Sequence, residues 1–394
     1  MEKPEQDFVV EYPEDFDTPH REYAELRHKC PVAWTNSLGG FWALSRYDDV
    51  KRAASDSSTF ITSVQNVVPK VAFTGRRPPL HLDPPEHTPY RRALTPLLSK
   101  ERADSFEGVT REIVRELLAP MVESRGGDIC ERFGSYFPVR VFGEWMRMPE
   151  ELLEILHERG RAFVLAVHQN NPEGMKETSL LLYEMARAII ADRRQKPQDP
   201  AVDPTSALLA ARFEGDPLPD DLIVGTVRQI LLVGIVAPMV MTGNMCVHLC
   251  RDRELQSQLR NDPSLLPDAI EEFLRLYSPY RGFARTANRD VEMHGRTIPE
   301  GEAMALLYCS ANRDESVFPE PDKFIMNRPN IRDHLAFGRG PHNCPGMHFG
   351  RMELRVVMEE LLAATPGGFE QAGELTMSRW PEIGALSVPL RFLD

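Results

Sequence analysis

The feature that most constrains this chain is one cysteine inside a short loop that glycine and proline punctuate. The loop reads Phe-Gly-Arg-Gly-Pro-His-Asn-Cys-Pro-Gly over residues 337–346, and a helical pattern follows it over residues 348–362. Glycines 338, 340 and 346 permit positive φ and close backbone approach, so the loop can lie flat against a large planar ligand. Backbone N–H groups at the start of the helix would favour a thiolate at Cys344. The pattern predicts a metal-binding thiolate rather than a structural cysteine.

The composition is that of an acidic globular protein without a linker. The 394 residues carry a net charge of -13, which argues against a surface for nucleic acid or anionic membrane. No internal repeat, low-complexity tract or composition break divides the chain, so we expect a single large domain over residues 1–394. The six cysteines are too sparse for a disulfide scaffold and fit a reducing compartment.

Two further observations bear on where the protein resides. Residues 1–17 are acidic and lack the basic start and apolar core of a signal peptide. The longest apolar run, residues 230–241, falls short of the roughly 20 residues that span a bilayer. The sequence therefore predicts a soluble, cytoplasmic monomer without a membrane partner.

Hydrophobic periodicity predicts a mainly helical protein with small β-sheets, an α+β fold class. Helices are predicted over residues 100–123, 150–167, 172–194, 219–251 and 267–277, and again after Gly346. Strands are predicted over residues 32–34, 41–44, 291–293 and 303–307, and a loop over residues 333–342.

The order Phe, Gly, x, Gly, x, His, x, Cys, x, Gly resembles the haem-ligand signature of the cytochrome P450 superfamily. The resemblance implies the cytochrome P450 fold and a haem b cofactor. It also implies that Cys344 is the axial ligand of the haem iron and a catalytic residue, with Phe337 and Gly346 beside the haem.

A second signature of the family is Glu-x-x-Arg, which matches Glu272 and Arg275. On spacing alone, an exposed i,i+3 pair would contribute only about 0.2 to 0.5 kcal/mol. The resemblance implies instead that Arg328 joins the pair in a buried network that braces the cysteine loop, where removing one charge is costly.

The resemblance also implies which basic residues bind the haem propionates. His87 and Arg91 stand at i and i+4 on one helix face and can donate to the same carboxylate. Arg285 and His342 match the other propionate positions of the family.

The helix that should cross the distal face of the haem departs from the family pattern. Most members place an acid and then an alcohol where this chain has Ala237 and Pro238, and neither residue can relay a proton. Pro238 has no N–H for the carbonyl of Gly234, so we expect the helix to open there and to expose that carbonyl. Thr242 could supply a replacement hydroxyl, although helical threonine commonly bonds its own i−4 carbonyl.

The segments around this helix predict a small apolar substrate pocket, assigned by analogy with the family. Arg281 is the one charge in the pocket segment 280–284; it could meet a substrate carboxylate, but we expect it to be exposed. The expected lining is Gly234, Ile235, Ala237, Pro238, Met241, Tyr280, Phe283 and Ala284, with unplaced residues from 64–73 and 383–387.

The resemblance implies a haem-thiolate monooxygenase that hydroxylates or O-dealkylates a small, largely apolar molecule with O2 and two electrons. No flavin or iron–sulfur motif is present, so ferredoxin and ferredoxin reductase are the expected electron donors. An acidic ferredoxin would suit a basic proximal patch of Arg92, Arg339, Arg351 and Arg355. The alternatives are a peroxide-driven peroxygenase, a haem-dependent isomerase or dehydratase, and a non-catalytic haem sensor or carrier.

Overall fold

Helices dominate the computed structural model, which describes residues 4–12 and 14–394. Their bounds are α1 Thr18–Lys29, α2 Tyr47–Ser55, α3 Thr88–Leu94, α4 Lys100–Glu123, α5 Phe137–Trp145, α6 Glu150–His168, α7 Pro172–Gln195, α8 Pro204–Ala210, α9 Asp220–Val233, α10 Val236–Arg251, α11 Arg253–Asn261, α12 Leu266–Leu276, α13 Tyr308–Ala311 and α14 Met347–Ala364. The strands are β1 Val32–Thr35, β2 Phe41–Leu44, β3 Phe60–Ile61, β4 Gly126–Asp128, β5 Arg212–Phe213, β6 Asp216–Pro217, β7 Ala284–Ala287, β8 Val291–Met293, β9 Arg296–Ile298, β10 Ala303–Leu306, β11 Phe369–Gln371, β12 Thr376–Met377, β13 Ala385–Ser387 and β14 Pro389–Phe392. The predicted fold class is confirmed.

The largest sheet positions one of the predicted site residues. Its strand order is β1-β2-β10-β7-β3, with β10 parallel to β2 and antiparallel to β7. The register places Arg285 of β7 opposite Met304 of β10. The sequence predicted β1, β2, β8 and β10 to within a residue but missed β7, because Ala284–Ala287 is buried throughout and shows no polar alternation.

The helical core is built from α10, α12 and α14, whose inward faces are almost fully buried. The fully buried side chains of this core include Val240 and Met245 of α10, Phe273 of α12 and Val357 of α14. The predicted helix over residues 100–123 is confirmed as α4, and the side chain of Ser99 caps it by accepting a hydrogen bond from the N–H of Arg102.

The helix predicted over residues 219–251 is divided into α9 and α10 by a break at Gly234 and Ile235. On length and apolar composition alone, Asp220–Arg251 could cross a membrane, but 72% of its most apolar window is buried inside the protein. That burial is what the central helix of a globular protein requires, since a spanning helix turns apolar faces to lipid. The prediction of one domain stays a prediction.

Candidate functional site

The loop that carries Cys344 is shaped by two glycines at positive φ. Gly338 has φ 69° and Gly340 has φ 70°. A side chain at Gly340 would also collide with the backbone, because a Cβ there would lie 2.4 Å from the carbonyl oxygen of Ala54. Gly346, the third glycine of the loop, does not use the positive φ that glycine permits: its φ is -86° and its ψ is 14°.

Short contacts bring Phe337 and the start of α14 around the cysteine. The N–H of Cys344 donates to the carbonyl of Phe337 at 2.8 Å, which closes the loop. Burial raises the pKa of the Cys344 thiol, whereas a hydrogen bond from the N–H of Gly346 and the positive charge of Arg91 act in the opposite direction. The guanidinium of Arg351 lies 4.6 Å from the centre of the Phe337 ring.

Cys344 opens into a largely apolar cavity of about 330 Å³. Of the predicted pocket residues, it is lined by Gly234, Ala237, Pro238, Met241, Tyr280 and Phe283. The sequence did not identify several other lining residues, among them Pro79, Leu80, Leu94, Leu98, Phe142, Trp145, Gln229, Ile230 and Val233. Ile230 and Val233 lie in the predicted distal helix but were not assigned to the pocket, and the other positions belong to no motif that marks them as pocket residues.

Some predicted pocket residues lie elsewhere. Ile235 is 8% exposed and packs in the core towards Gly160, because it is turned about 100° around the helix from Gly234. Ala284 is fully buried within the large sheet. Residues 64–73 and 383–387 do not reach the cavity wall either.

Three basic side chains also line the cavity: Arg91, Arg285 and His342. His87 lies directly behind, with its ring 5.1 Å from the ring of His342 and its Nε2 3.3 Å from the carbonyl oxygen of Pro341. Burial, followed by repulsion from Arg285, lowers the pKa of His342 to about 3, so the ring is neutral at pH 7. Within residues 4–12 and 14–394, no carboxylate pairs with either guanidinium.

The distal helix opens as its proline predicts. Helix α9 ends at Val233 and α10 begins at Val236, and the carbonyl of Gly234 accepts no hydrogen bond from any described backbone or side-chain group. The break brings the chain close to Phe142, because a Cβ at Gly234 would lie 2.6 Å from that ring. A larger residue at position 234 would therefore force the Phe142 ring to move. The helix opens because Pro238 has no N–H to donate to the Gly234 carbonyl.

Thr242 does not supply a replacement hydroxyl to the cavity. The side chain is fully buried, and its Oγ1 donates to the carbonyl oxygen of Pro238 at 2.8 Å. Threonine within a helix commonly donates to the carbonyl one turn back in this way. The expectation of Thr242 as a catalytic residue is corrected on this geometry.

Glu272, Arg275 and Arg328 form a buried cluster, as the second signature predicts. Both oxygens of Glu272 accept from Arg275 at 2.7 Å, and Oε1 also accepts from Arg328 at 3.1 Å and from the N–H of Ile325 at 3.0 Å. All three charged side chains are at most 4% exposed. The exposed i,i+3 pair that spacing alone suggested is therefore excluded.

Asn312 connects this cluster to the cysteine loop. Arg275 donates to the carbonyl oxygen of Asn312 at 2.9 Å, and the side chain of Asn312 accepts from the N–H of Leu335 at 2.6 Å. Leu335 in turn accepts from the N–H of Gly338 at 2.9 Å.

Glu271, which the sequence did not single out, adds a second brace between α12 and the loop. It accepts hydrogen bonds from His334 at 3.0 Å and from Arg351 at 2.5 Å. Burial raises the pKa of Glu271, but these hydrogen bonds outweigh burial and bring it to about 2.

Arg281 is buried rather than exposed, so that prediction was wrong. Its guanidinium donates to Glu14 at 2.8 Å and 3.0 Å and to the hydroxyl of Tyr23 at 3.1 Å, and its Nε donates to the carbonyl oxygen of Glu382. Glu14, Tyr23 and Glu382 lie 267, 258 and 101 positions away in the chain, so spacing could not have revealed them.

The predicted basic patch carries less net positive charge than its four arginines suggest. Arg351 pairs with Glu271, and Arg355 pairs with Glu107 and Glu359. Arg92 and Arg339 are exposed and have no carboxylate partner in the described part of the chain.

Glu353 is a cavity residue that sequence reasoning missed. It is 7% exposed on α14, lines the cavity, and makes no hydrogen bond to any other residue that the structure describes. Burial raises the pKa of its carboxyl to about 8, so the neutral form predominates at pH 7. Glu353 lies nine positions after Cys344, and this spacing alone does not predict that its side chain faces the cavity.

Comparisons with known proteins identify the family of the chain. A sequence profile for cytochrome P450 matches residues 161–364. The chain is 31% identical to mycinamicin IV hydroxylase/epoxidase of Micromonospora griseorubida over 93% of each protein, and 34% identical to nocardicin C N-oxygenase of Nocardia uniformis over 88% of each. The solved structure of cytochrome P450 CYP109Q5 from Chondromyces apiculatus has a TM-score of 0.85 at 27% identity and covers 95% of each chain. With the cysteine loop, the buried Glu272 cluster and the cavity already described, these matches establish that the chain belongs to the cytochrome P450 family of haem-thiolate monooxygenases.

Proposed function

We propose that the protein hydroxylates or O-dealkylates a small, largely apolar organic molecule, with haem b as cofactor and a ferredoxin–ferredoxin reductase pair as electron donor. The observation that carries the proposal is the shared cavity: Cys344, two unpaired guanidiniums and an apolar distal wall all open into it.

The residues present fit a haem. Arg91 and Arg285 bring two positive charges to the cavity, no carboxylate of the described residues pairs with either of them, and a haem offers two propionates. Buried charges of this kind are normally compensated. Arg285 is oriented by its bond to the carbonyl oxygen of Ala284 at 2.9 Å and by the hydroxyl of Tyr308. Arg91, Arg285, His342 and, through His342, His87 would hold the propionates.

The thiolate of Cys344 would bind the iron, and Phe337 and Gly346 would lie along the haem. When bound, the haem supplies dioxygen binding and O–O cleavage, which an axial thiolate favours. The chain itself contributes a dry wall that excludes bulk water, made of Ala237, Pro238, Tyr280 and Phe283 beside the substrate.

The carbonyl of Gly234 is the polar group that the distal helix offers. Because it has no helical N–H partner, it accepts a hydrogen bond from a water or from a donor group of the substrate. Ala237 and Pro238 have no proton to give, and the hydroxyl of Thr242 is engaged elsewhere. Protons for oxygen activation therefore come from water or substrate held at this carbonyl.

One observation favours a second candidate function. The described residues of α9 and α10 that line the cavity include neither an acid nor an alcohol. A peroxide-driven peroxygenase, or a haem-dependent isomerase or dehydratase, needs no such pair.

One experiment separates these functions. The haem-loaded protein is screened with small terpenoids, aryl ethers and aryl acids for a low- to high-spin Soret shift, and the compounds that bind are then incubated with NADH, ferredoxin and ferredoxin reductase or with hydrogen peroxide alone. We expect oxygenated or dealkylated product that requires NADH. Product from peroxide without NADH-dependent turnover would establish the peroxygenase, and a rearranged or dehydrated product without either reagent would establish the isomerase or dehydratase.

A further inference from the structure

Within residues 4–12 and 14–394, two buried arginines in segments that also supply cavity residues have no carboxylate partner. Arg228 of α9 is 0% exposed and Arg77 is 7% exposed. Six of the other buried arginines in the described ranges do pair with a carboxylate, namely Arg27, Arg193, Arg275, Arg281, Arg313 and Arg328. The remaining buried arginine without such a partner is Arg285, which faces the haem cavity. Missing carboxylates therefore mark places that fit an anionic ligand.

The immediate surroundings leave guanidinium donors unused. Arg228 donates from Nη2 to the hydroxyl of Ser179 at 3.0 Å and lies 4.7 Å from the centre of the Phe163 ring. The aromatic ring covers one face of the cation, but Nε and Nη1 at its edge have no acceptor among the residues the structure describes. Arg77 donates to His81 at 3.1 Å, and its Nε likewise has none.

The cluster remains cationic at neutral pH. Burial and then the nearby charge of Arg77 lower the pKa of Arg228 to about 9, which still leaves the guanidinium protonated. Burial and the two arginines lower the pKa of His81 to about 3, so this ring is neutral and serves as an acceptor for Arg77. Two like charges buried side by side are unfavourable unless an anion joins them.

The position of the cluster relates it to the substrate cavity. Leu80 and Gln229, which line the cavity, are near neighbours in sequence of Arg77 and Arg228, and the Oε1 of Gln229 is also unpartnered within residues 4–12 and 14–394. Gly225 lets the chain at Arg76 press directly on α9, since a Cβ there would lie 2.0 Å from the Arg76 carbonyl oxygen. The two segments that carry the cluster therefore also contribute residues to the cavity wall.

We propose that Arg77, Arg228 and Ser179 form a carboxylate-binding subsite that holds the acid group of an otherwise apolar substrate above the haem cavity. The inference rests on the proposed function and narrows its substrates to small organic acids. A carboxylate accepts from the guanidinium edges in the bidentate manner that arginine favours. The carboxylate could belong to the substrate or to a free small acid such as acetate, so the test includes ligands of both kinds.

The test compares matched ligands on the haem-loaded protein. A panel of small arene and terpenoid carboxylic acids and the methyl ester of each is titrated near neutral pH, and the dissociation constant is read from the Soret shift. We expect at least one acid to bind about ten-fold tighter than its ester, and Arg228→Met to abolish that preference without weakening the ester by more than about two-fold. Arg77→Met, which removes the second cation, should do the same and serves if Arg228→Met does not fold.

Arg187→Met is the matched control. Arg187 lies over the Tyr183 ring at 5.8 Å, as Arg228 does at 6.0 Å, but it is exposed. It should retain the acid preference. In parallel, the thermal midpoint is measured with and without acetate; protection of the wild type but not of Arg228→Met, with no acid preference, would identify a free acid as the ligand.

The inference fails if wild-type protein neither distinguishes acids from esters nor gains stability from acetate, or if both arginine variants behave as the wild type does. This failure is separate from failure of the proposed function. NADH-dependent oxidation of neutral compounds alone would preserve the monooxygenase and overturn the subsite, whereas acid binding without turnover would preserve the subsite and overturn the proposed reaction.

Discussion

Replacing Glu272 by glutamine should lower the free energy of unfolding far more than a substitution on an exposed helix surface does. Gln keeps the shape of the side chain but removes the negative charge that both Arg275 and Arg328 share. Glu272 is 1% exposed, so the two guanidiniums would remain buried beside a neutral amide. Breaking a buried ion pair in this way costs about 3 to 5 kcal/mol.

The cost converts to a measurable shift in thermal midpoint. For 394 residues, an unfolding entropy of about 2.1 cal/mol/K per residue gives about 0.8 kcal/mol/K in total. The midpoint of the haem-loaded protein should therefore fall by about 4 to 6 °C, measured by circular dichroism. Because Asn312 links the cluster to the cysteine loop, the haem content read from the Soret-to-protein absorbance ratio should fall as well.

A control and a double mutant make the reasoning refutable. Glu320→Gln removes an i,i+3 pair with Lys323 that is mostly exposed, with side-chain exposures of 57% and 71%, and should change stability by less than about 0.5 kcal/mol. Glu272→Gln combined with Arg275→Met should be less damaging than the sum of the single changes. If Glu272→Gln behaves as Glu320→Gln does, with full haem content, the cluster does not stabilise the loop.

Three further outcomes follow from the site. Cys344→Ser should lose the strongly red-shifted Soret band of the ferrous carbonyl complex, which requires an axial thiolate; an unchanged band would disprove the ligand assignment. Ala237→Asp with Pro238→Thr should keep haem and substrate binding but change the ratio of product to peroxide, because it restores a proton supply; an unchanged ratio would place that supply elsewhere. Glu353→Gln should gain stability relative to wild type as pH rises from about 4.5 to about 8 and then level off: burial raises the folded pKa of Glu353 from 4.5 to about 8, so across that window only the unfolded wild type is ionised and the wild type loses about 1.4 kcal/mol per pH unit. Parallel thermal midpoints of the two proteins from about pH 6 to about pH 9 would contradict it.

Features that depend on short spacings could be predicted from the sequence. The cysteine loop, the Glu272–Arg275 pair and the opening before Pro238 each follow from residues within one or two turns of one another. Helix phase also explains which distal residues face the cavity: Gly234, Ala237, Pro238 and Met241 follow the i, i+3, i+4, i+7 pattern of one face.

Features that depend on distant partners could not be predicted. Glu14 and Arg281 are 267 positions apart, and Glu271 and Arg351 are 80 apart. A charged residue that the local sequence predicts to be exposed can be buried in the folded protein when a distant residue pairs with it. Arg281 is an example. The unpaired Arg228 is the converse case, because nothing in its helical segment reveals that no acid will meet it.

The ion pair between Glu14 and Arg281 also has a practical consequence for handling the protein. Arg281 stands between Tyr280 and Phe283, two residues of the cavity wall, so the amino-terminal segment supplies the counterion for part of the active site. Trimming that segment, or fusing a tag that pulls it away, would leave the fully buried Arg281 guanidinium beside the neutral Tyr23 hydroxyl, the Glu382 carbonyl oxygen and the Trp380 ring at 5.1 Å without the Glu14 carboxylate, and we expect weaker ligand binding as a result. Asp394, by contrast, pairs with Arg125 where both side chains are mostly exposed, so we expect the loss of that pair to change stability little.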